Sequence, residues 1–200
     1  MNRIVIVGNA KLEKDYSALV DGAEMVVRFN NARNYGTGWA GSKTDVLCIA
    51  NKQHPGRKIA KYKTIKELTF LGQVKAIWFP HFSEHLAAQF WLKPFSRATF
   101  KKTNYCNWIL VRNELTDKDV LHFGKTLYVN ARNELNLSEI SDLEPSSGYL
   151  AVKYVIQHYP TDSFEIIIIG FTCSGSDAHP WDKEKANMIA WSEKGLVKIL

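Results

Sequence analysis

The chain has 200 residues, of which 46% are hydrophobic and 23% charged, and it carries a formal net charge of +6. With only twelve Gly and six Pro, this composition excludes a disordered or collagen-like chain and predicts one compact domain over residues 1–200. We expect no membrane span, because the longest apolar run, residues 164–171, is far shorter than the roughly 20 residues a spanning helix needs.

The predicted elements alternate between strands and helices along the chain. The predicted strands, in chain order, are residues 3–7, 24–29, 45–49, 74–79, the weaker candidates 108–111 and 127–129, and the most apolar run, 165–169. The predicted helices are residues 15–20, 147–158 and 182–200. This alternation is typical of an α/β fold with a mostly parallel sheet flanked by helices.

The cysteines and the first residues predict a reducing compartment. Cys48, Cys106 and Cys173 cannot all pair, and no Cys-x-x-Cys occurs. Met1 is followed almost at once by the first predicted strand, with no signal-peptide pattern before it. We therefore expect a cytoplasmic protein.

Two predicted strand ends carry residues suited to ligand binding, since ligands of open α/β sheets bind beyond the carboxyl ends of the strands. Gly8 follows the first strand and permits close backbone approach, and Asn9 offers an amide to a ribose, base or phosphate. An ordinary turn explains the same pair. The later glycines of a dinucleotide-binding fingerprint are missing.

Residues 144–148 open the predicted helix 147–158. Pro145 and Ser146 suit a helix start, where the free N–H groups of Ser146, Ser147 and Gly148 attract anions. A capped helix with no ligand is the alternative interpretation.

His179 follows the most apolar strand, at a place suited to a general base. Glu184 could orient His179 or interact favourably with the start of the last helix. No second His or Cys lies at ligand spacing, so we expect no metal site.

The positive charge is concentrated in the middle of the chain. Residues 51–105 contain eleven Lys or Arg and two acidic residues, a net charge of +9, so the remainder carries −3. Basic and aromatic residues alternate there, which fits contact with an anionic glycan, a lipid surface or single-stranded nucleic acid, and equally a solvated basic face. No RNA- or DNA-binding module is recognisable, so we expect no nucleic-acid partner.

Taken in order, these segments resemble the eukaryotic-type sialyltransferases, glycosyltransferase family 29, and their bacterial relatives. Residues 6–9, 27–30 and 41–44 resemble the large sialylmotif, and residues 145–151 through 169–171 resemble the small one. His179, four intervening residues and Glu184 are similar to the very short motif, His-x4-Glu.

The resemblance implies a Rossmann-like, variant GT-A-type fold and a CMP-sugar donor, with no cofactor. It implies that the donor is bound by Gly8, Asn9, Asn30, Ser146, Ser147, Gly148 and Gly170, and that His179 is the catalytic base. Glu184 and Arg28 would support the site, although Arg28 could equally be a buried structural residue. Transfer in the family inverts the anomeric centre without a metal.

Three departures separate this chain from the secretory-pathway members. Only seven residues, 172–178, lie between Phe171 and His179, and no counterpart of motif III is found there. The bridging cysteines and the amino-terminal anchor are also missing, as expected for a short bacterial-type member.

The sequence therefore predicts transfer of an acidic sugar, sialic acid or a Kdo-like sugar, from CMP to a hydroxyl of a glycan. The acceptor could be lipid-linked, with residues 81–102 in peripheral contact with the inner membrane. The alternative is a CMP- or CMP-sugar-binding protein of the same fold without catalysis.

Overall fold

The computed structural model describes residues 1–82 and 104–200, and within them the chain forms one parallel sheet of seven strands with the order β5-β4-β3-β2-β1-β6-β7. The strands are β1 (Asn2–Val7), β2 (Met25–Phe29), β3 (Val46–Cys48), β4 (Ala76–Phe79), β5 (Asp119–His122), β6 (Phe164–Ile169) and β7 (Lys198–Ile199). Every pairing in this sheet is parallel. The predicted α/β fold with a parallel sheet is confirmed.

Helices cover both faces of the sheet. They are α1 (Ser17–Asp21), α2 (Gln53–Tyr62), α3 (Cys106–Arg112), α4 (Lys125–Glu134), α5 (Ser147–His158) and α6 (Trp181–Glu193). In the part of the chain that the structure describes, no helix has the length and apolar character needed to cross a bilayer.

The core follows the alternation of side chains along β1. Ile4 and Ile6 pack on the face covered by α4, α5 and α6, whereas Val5 and Val7 pack on the opposite face together with Val20 of α1. Both faces of the strand are buried, which explains its unbroken run of β-branched residues. Further along the sheet, Ile59 of α2 joins a cluster on the β3 and β4 strands.

Two predicted strands are wrong, and one predicted helix ends earlier than expected. Residues 108–111 belong to α3 and residues 127–129 belong to α4, where Leu127 and Ala131 are buried at helical spacing. Residues 182–200 are helical only as far as Glu193, and the chain ends in the short strand β7. In each case, packing overrides the local preference of β-branched or helix-forming residues.

Strand β5 was not predicted. It is a four-residue edge strand that contains Asp119 and His122 and has no fully buried residue. Exposed edge strands carry little of the hydrophobic pattern by which strands are recognised.

The order of the strands determines where a ligand can bind. Connections after β1 proceed across the sheet towards β5, whereas β6 lies on the other side of β1 and leads to β7. The strand order therefore reverses between β1 and β6, and a crevice is expected beyond their carboxyl ends. Of the predicted membrane-contact segment 81–102, residues 83–102 lie outside the described residues.

Candidate active site

A cavity of about 590 Å³ lies at the carboxyl edge of the sheet, and it includes the ends of β1 and β6. Gly8 follows β1 and Gly170 follows β6, and the two backbones are in close contact. A Cβ at Gly8 would lie 2.1 Å from the carbonyl oxygen of Gly170, and Gly170 itself has a φ of +69°. Glycine is therefore required at both strand ends, and together they form one wall of the cavity.

The N-terminus of α5 opens into this cavity. Ser146 is its N-cap, and its Oγ accepts from the backbone N–H of Tyr149 at 3.1 Å. The N–H groups of Ser147 and Gly148 have no acceptor among the residues the structure describes. Both residues line the cavity, so two unoccupied donors and the positive end of a 12-residue helix are available to an anion.

Gly148 lies against an aromatic ring that follows β6. A Cβ at Gly148 would lie 2.7 Å from Cε1 of Phe171. The ring of Phe171 in turn packs edge-on against Phe29 at 5.8 Å between centroids. The missing side chain at Gly148 therefore allows the start of α5 to approach the strand ends closely.

Glu184 binds Ser146, not His179. One carboxyl oxygen accepts from the backbone N–H of Ser146 and the other from its Oγ, each at 2.6 Å. Of the two roles that the sequence left open for Glu184, orientation of His179 is not the one observed, because both carboxyl oxygens are held by the cap of α5. The backbone N–H of Ser146 is occupied by the same contact. The backbone N–H groups of Ser147 and Gly148 therefore remain for anion binding.

The carboxyl group of Glu184 is completely buried. Burial raises the pKa of Glu184 to about 7, although the two hydrogen bonds from Ser146 oppose the change. A group that titrates near neutral pH thus lies directly beside the two free amides of α5.

His179 lines the cavity, and one of its ring nitrogens is fixed by the backbone. Nδ1 lies 2.8 Å from the carbonyl oxygen of Glu144. Because a carbonyl can only accept, Nδ1 carries the hydrogen and neutral His179 has its lone pair on Nε2. The backbone N–H of Glu144 also donates to the carbonyl of Ala178 at 2.9 Å. The tautomer and the position of His179 therefore suit a general base.

The two predicted asparagines lie in the cavity wall, with different freedom to bind a ligand. Asn9 donates to the carbonyl of Phe29 at 3.2 Å and accepts from the N–H of Arg33 at 2.9 Å, so it joins the loops after β1 and β2. Asn30 accepts from the N–H of Ala50 at 2.9 Å. Its Nδ2 has no acceptor in residues 1–82 and 104–200, which leaves it available to a ligand.

Arg28 does not line the cavity. Its guanidinium donates to the carbonyl oxygens of Ala40, Gly41 and Lys43 at 2.5–3.1 Å, and the residue is 1% exposed. Of the two roles that the sequence left open for Arg28, these contacts support the structural one.

Several charged or polar cavity residues were missed by the sequence analysis, among them Lys52, His81 and the carboxylate of Glu144. Lys52 Nζ lies 2.9 Å from Glu144 Oε1, with both side chains largely buried. Burial raises the pKa of Glu144, but the positive charge of Lys52 together with smaller contributions outweighs it, and the net pKa is lowered. The pair therefore persists as an ion pair at neutral pH.

His81 connects this ion pair to α5. Its Nε2 lies 2.9 Å from Ser147 Oγ, and its Nδ1 lies 4.0 Å from Glu144 Oε2. Burial lowers the pKa of His81 to about 4, so the ring is neutral at pH 7. Lys52 follows β3 and His81 follows β4. Asn9 follows β1 and His179 follows β6 in the same way. The same rule of strand ends would have found Lys52 and His81.

Solved sialyltransferases share this fold. A mammalian sialyltransferase matches 100% of this chain and 68% of its own, with 16% identity and a TM-score of 0.63. An α-2,3-sialyltransferase from Campylobacter jejuni in apo form matches 100% of this chain and 74% of its own, with 18% identity and a TM-score of 0.55. At these identities the comparison establishes the fold.

A further solved neighbour contains a substrate analogue. It is a Campylobacter jejuni sialyltransferase in complex with CMP-3FNeuAc, which matches 100% of this chain and 81% of its own, with 14% identity and a TM-score of 0.54.

Sequence comparison gives a different relative. The "Urease operon 23 kDa accessory protein" of Rhizobium meliloti (strain 1021) is 22% identical over 218 residues, which span 98% of this chain and 92% of that protein. No protein-family model matches the chain.

Proposed function

We propose that the protein is an inverting glycosyltransferase that moves an acidic sugar from a CMP-sugar to a hydroxyl group of a glycan. The observation that carries the proposal is the presence of a backbone-fixed His179 and the two free amides of α5 in one cavity. A base and an anion site are the two groups such a transfer requires. The fold shared with a sialyltransferase that binds CMP-3FNeuAc supports the choice of donor.

The chemistry follows from these groups. Nε2 of His179 takes the proton of the acceptor hydroxyl as its oxygen attacks the anomeric carbon, and the bond to CMP breaks on the opposite side. The negative charge left on the phosphate of CMP is stabilised by the N–H groups of Ser147 and Gly148 and by the positive end of α5. A single leaving phosphate needs no metal in this scheme.

Asn30 fits a role in holding the donor. Its free Nδ2 lies at the end of β2, within the same cavity wall as Asn9. Asn9 is engaged with the loop after β2 through both of its amide atoms, so we assign it mainly to shaping this wall.

Replacement of His179 by alanine tests the proposal. We expect transfer from CMP-sialic acid or CMP-Kdo to fall by about 10²–10⁴-fold, because a positioned base contributes this much. CMP affinity, measured by calorimetry, should stay within a few-fold of the unmodified protein. His158→Ala is the matched control, since Nδ1 of His158 also bonds to a backbone carbonyl but the residue is exposed and outside the cavity.

The outcomes separate the proposal from the non-catalytic alternative. If the unmodified protein binds CMP and turns over neither CMP-sugar with a broad set of acceptors, the protein is a nucleotide-binding module. If CMP does not bind at all, both interpretations are wrong.

A further inference from the structure

A second helix begins in the same cavity. Lys52 is the N-cap of α2, and Lys52, Gln53 and His54 all line the cavity. The N–H groups of Gln53 and His54 have no acceptor within the described ranges. The first turn of α2 contains no acidic residue, so its positive end is not neutralised within the helix.

Lys52 adds a full positive charge at this helix start. Its side chain is 11% exposed and is paired with Glu144 at 2.9 Å, while its Nζ also lies 5.6 Å from the ring centroid of Tyr128. An ammonium group has three hydrogens, so Lys52 keeps donors for a ligand after pairing with one carboxylate.

His81 supplies an independent sign that a polar partner is missing here. The residue is 7% exposed and lines the cavity, and its Nδ1 has no hydrogen-bond partner among residues 1–82 and 104–200. Its Nε2 is already used by Ser147 of α5. An unpaired buried nitrogen is costly, so Nδ1 beside the Lys52–Glu144 pair indicates an unfilled polar site.

Two exposed residues of the described cavity rim are positively charged. Lys11 and Arg33 are exposed and line the cavity. Among the described residues, the lining contains two carboxylates, and both are engaged, Glu144 by Lys52 and Glu184 by Ser146. The remaining donors of the cavity therefore favour a ligand with more negative charge than one phosphate.

We propose that the N-terminus of α2, with Lys52, is a second anion subsite, which binds a carboxylate or phosphate group at a distance from the phosphate held by α5. The inference rests on the proposed function, because that function places the nucleotide phosphate at α5. The second anion then belongs either to the transferred sugar or to the acceptor.

The test measures affinities of the intact protein and of Lys52→Gln by calorimetry, with CMP, CMP-sialic acid, and inorganic phosphate in saturating CMP as probes. If the anion belongs to the sugar, Lys52→Gln weakens CMP-sialic acid binding about tenfold and leaves CMP unchanged. If it belongs to the acceptor, only the phosphate affinity falls. Unchanged affinities for all three probes would overturn the subsite.

Two further variants guard against a folding artefact. Glu144→Gln removes the counter-ion of Lys52, so phosphate or CMP-sialic acid should bind several-fold more tightly, which misfolding cannot mimic. Lys58→Gln is the matched control, because Lys58 is an exposed cation of the same helix that does not line the cavity. A decrease in affinity for Glu144→Gln, or an equal effect for Lys58→Gln, would contradict the proposal.

Failure of the proposed function is recognised separately. In that case CMP does not bind the unmodified protein, while phosphate titrated without nucleotide still reports on Lys52. Loss of phosphate binding in Lys52→Gln would then support the subsite alone, and no change would overturn it.

Discussion

Replacing Glu184 with glutamine separates the charge of this buried residue from its hydrogen bonds. The amide oxygen of glutamine can accept from the N–H of Ser146, and its NH₂ group can donate to the Oγ of Ser146, so the cap of α5 is kept. The charge is removed. Because burial raises the pKa of Glu184 from 4.5 to about 7, the native protein retains this proton up to a higher pH than the unfolded chain does.

The sign and size of the effect follow from this difference. Between pH 4.5 and 7 the native state holds more protons than the unfolded state, so the free energy of unfolding falls as pH rises through this window. Below pH 4.5 the stabilising contribution of Glu184 is fully present. At 1.36 kcal/mol for each tenfold change in proton affinity, the whole loss is about 3 kcal/mol. Between pH 5 and 8 roughly 2–3 kcal/mol of it should be observed.

Urea denaturation at several pH values between 5 and 8 measures this loss. The free energy of unfolding of Glu184→Gln minus that of the unmodified protein should increase by about 2–3 kcal/mol between pH 5 and pH 8, since other groups titrate equally in both proteins. Glu193→Gln, an exposed carboxylate of the same helix, is the control and should follow the unmodified protein. Parallel pH profiles for the Glu184→Gln variant and the unmodified protein would refute the reasoning.

Three other predictions concern the same edge of the sheet. Arg28→Met should lower the free energy of unfolding by about 3 kcal/mol, because it leaves buried carbonyls without a donor, and it should not change CMP affinity. A loss of CMP affinity in the folded variant would instead favour a supporting role for Arg28 in the site. Gly8→Ala should lower the free energy of unfolding by about 3 kcal/mol or prevent folding, because the new Cβ would lie 2.1 Å from the carbonyl oxygen of Gly170. An unchanged melting temperature would contradict this contact. CMP binding near pH 7 should take up a fraction of a proton, since an anion at α5 raises the pKa of Glu184, and calorimetry in two buffers of different ionisation enthalpy should find less uptake in Glu184→Gln.

Most of the sheet could be predicted because its central strands are buried on both faces. The β-branched runs of β1 and β6 leave no alternative to a buried strand, and the predicted helix 147–158 coincides with α5. Two of the elements that were wrong or missed, β5 and the helix that contains residues 108–111, are short and partly exposed. Their structure is decided by neighbours distant in the sequence, which a local pattern cannot reveal.

The candidate site was predictable in its parts but not in its contacts. The structure brings Gly8, Gly170 and His179 to one cavity. The family resemblance implied Gly170, and the rule that ligands bind beyond strand ends located Gly8 and His179. The rule of strand ends could not reveal that Glu184 would bind Ser146, because that contact joins residues 38 positions apart. Lys52 was also not predicted, because it lies outside the motifs on which the family resemblance rests.

The contacts that the sequence could not reveal are the ones that fix the proposed base relative to the proposed anion site. His179 is held by the carbonyl of Glu144, and two residues later Ser146 is held by Glu184, which is in the first turn of α6. Hydrogen bonds from both ends of the segment 179–184 therefore hold it against the start of α5, and these bonds need no ligand. Preorganised donors and a fixed base avoid reorganisation when charge develops. A change that loosens either contact should therefore impair transfer more than it weakens nucleotide binding.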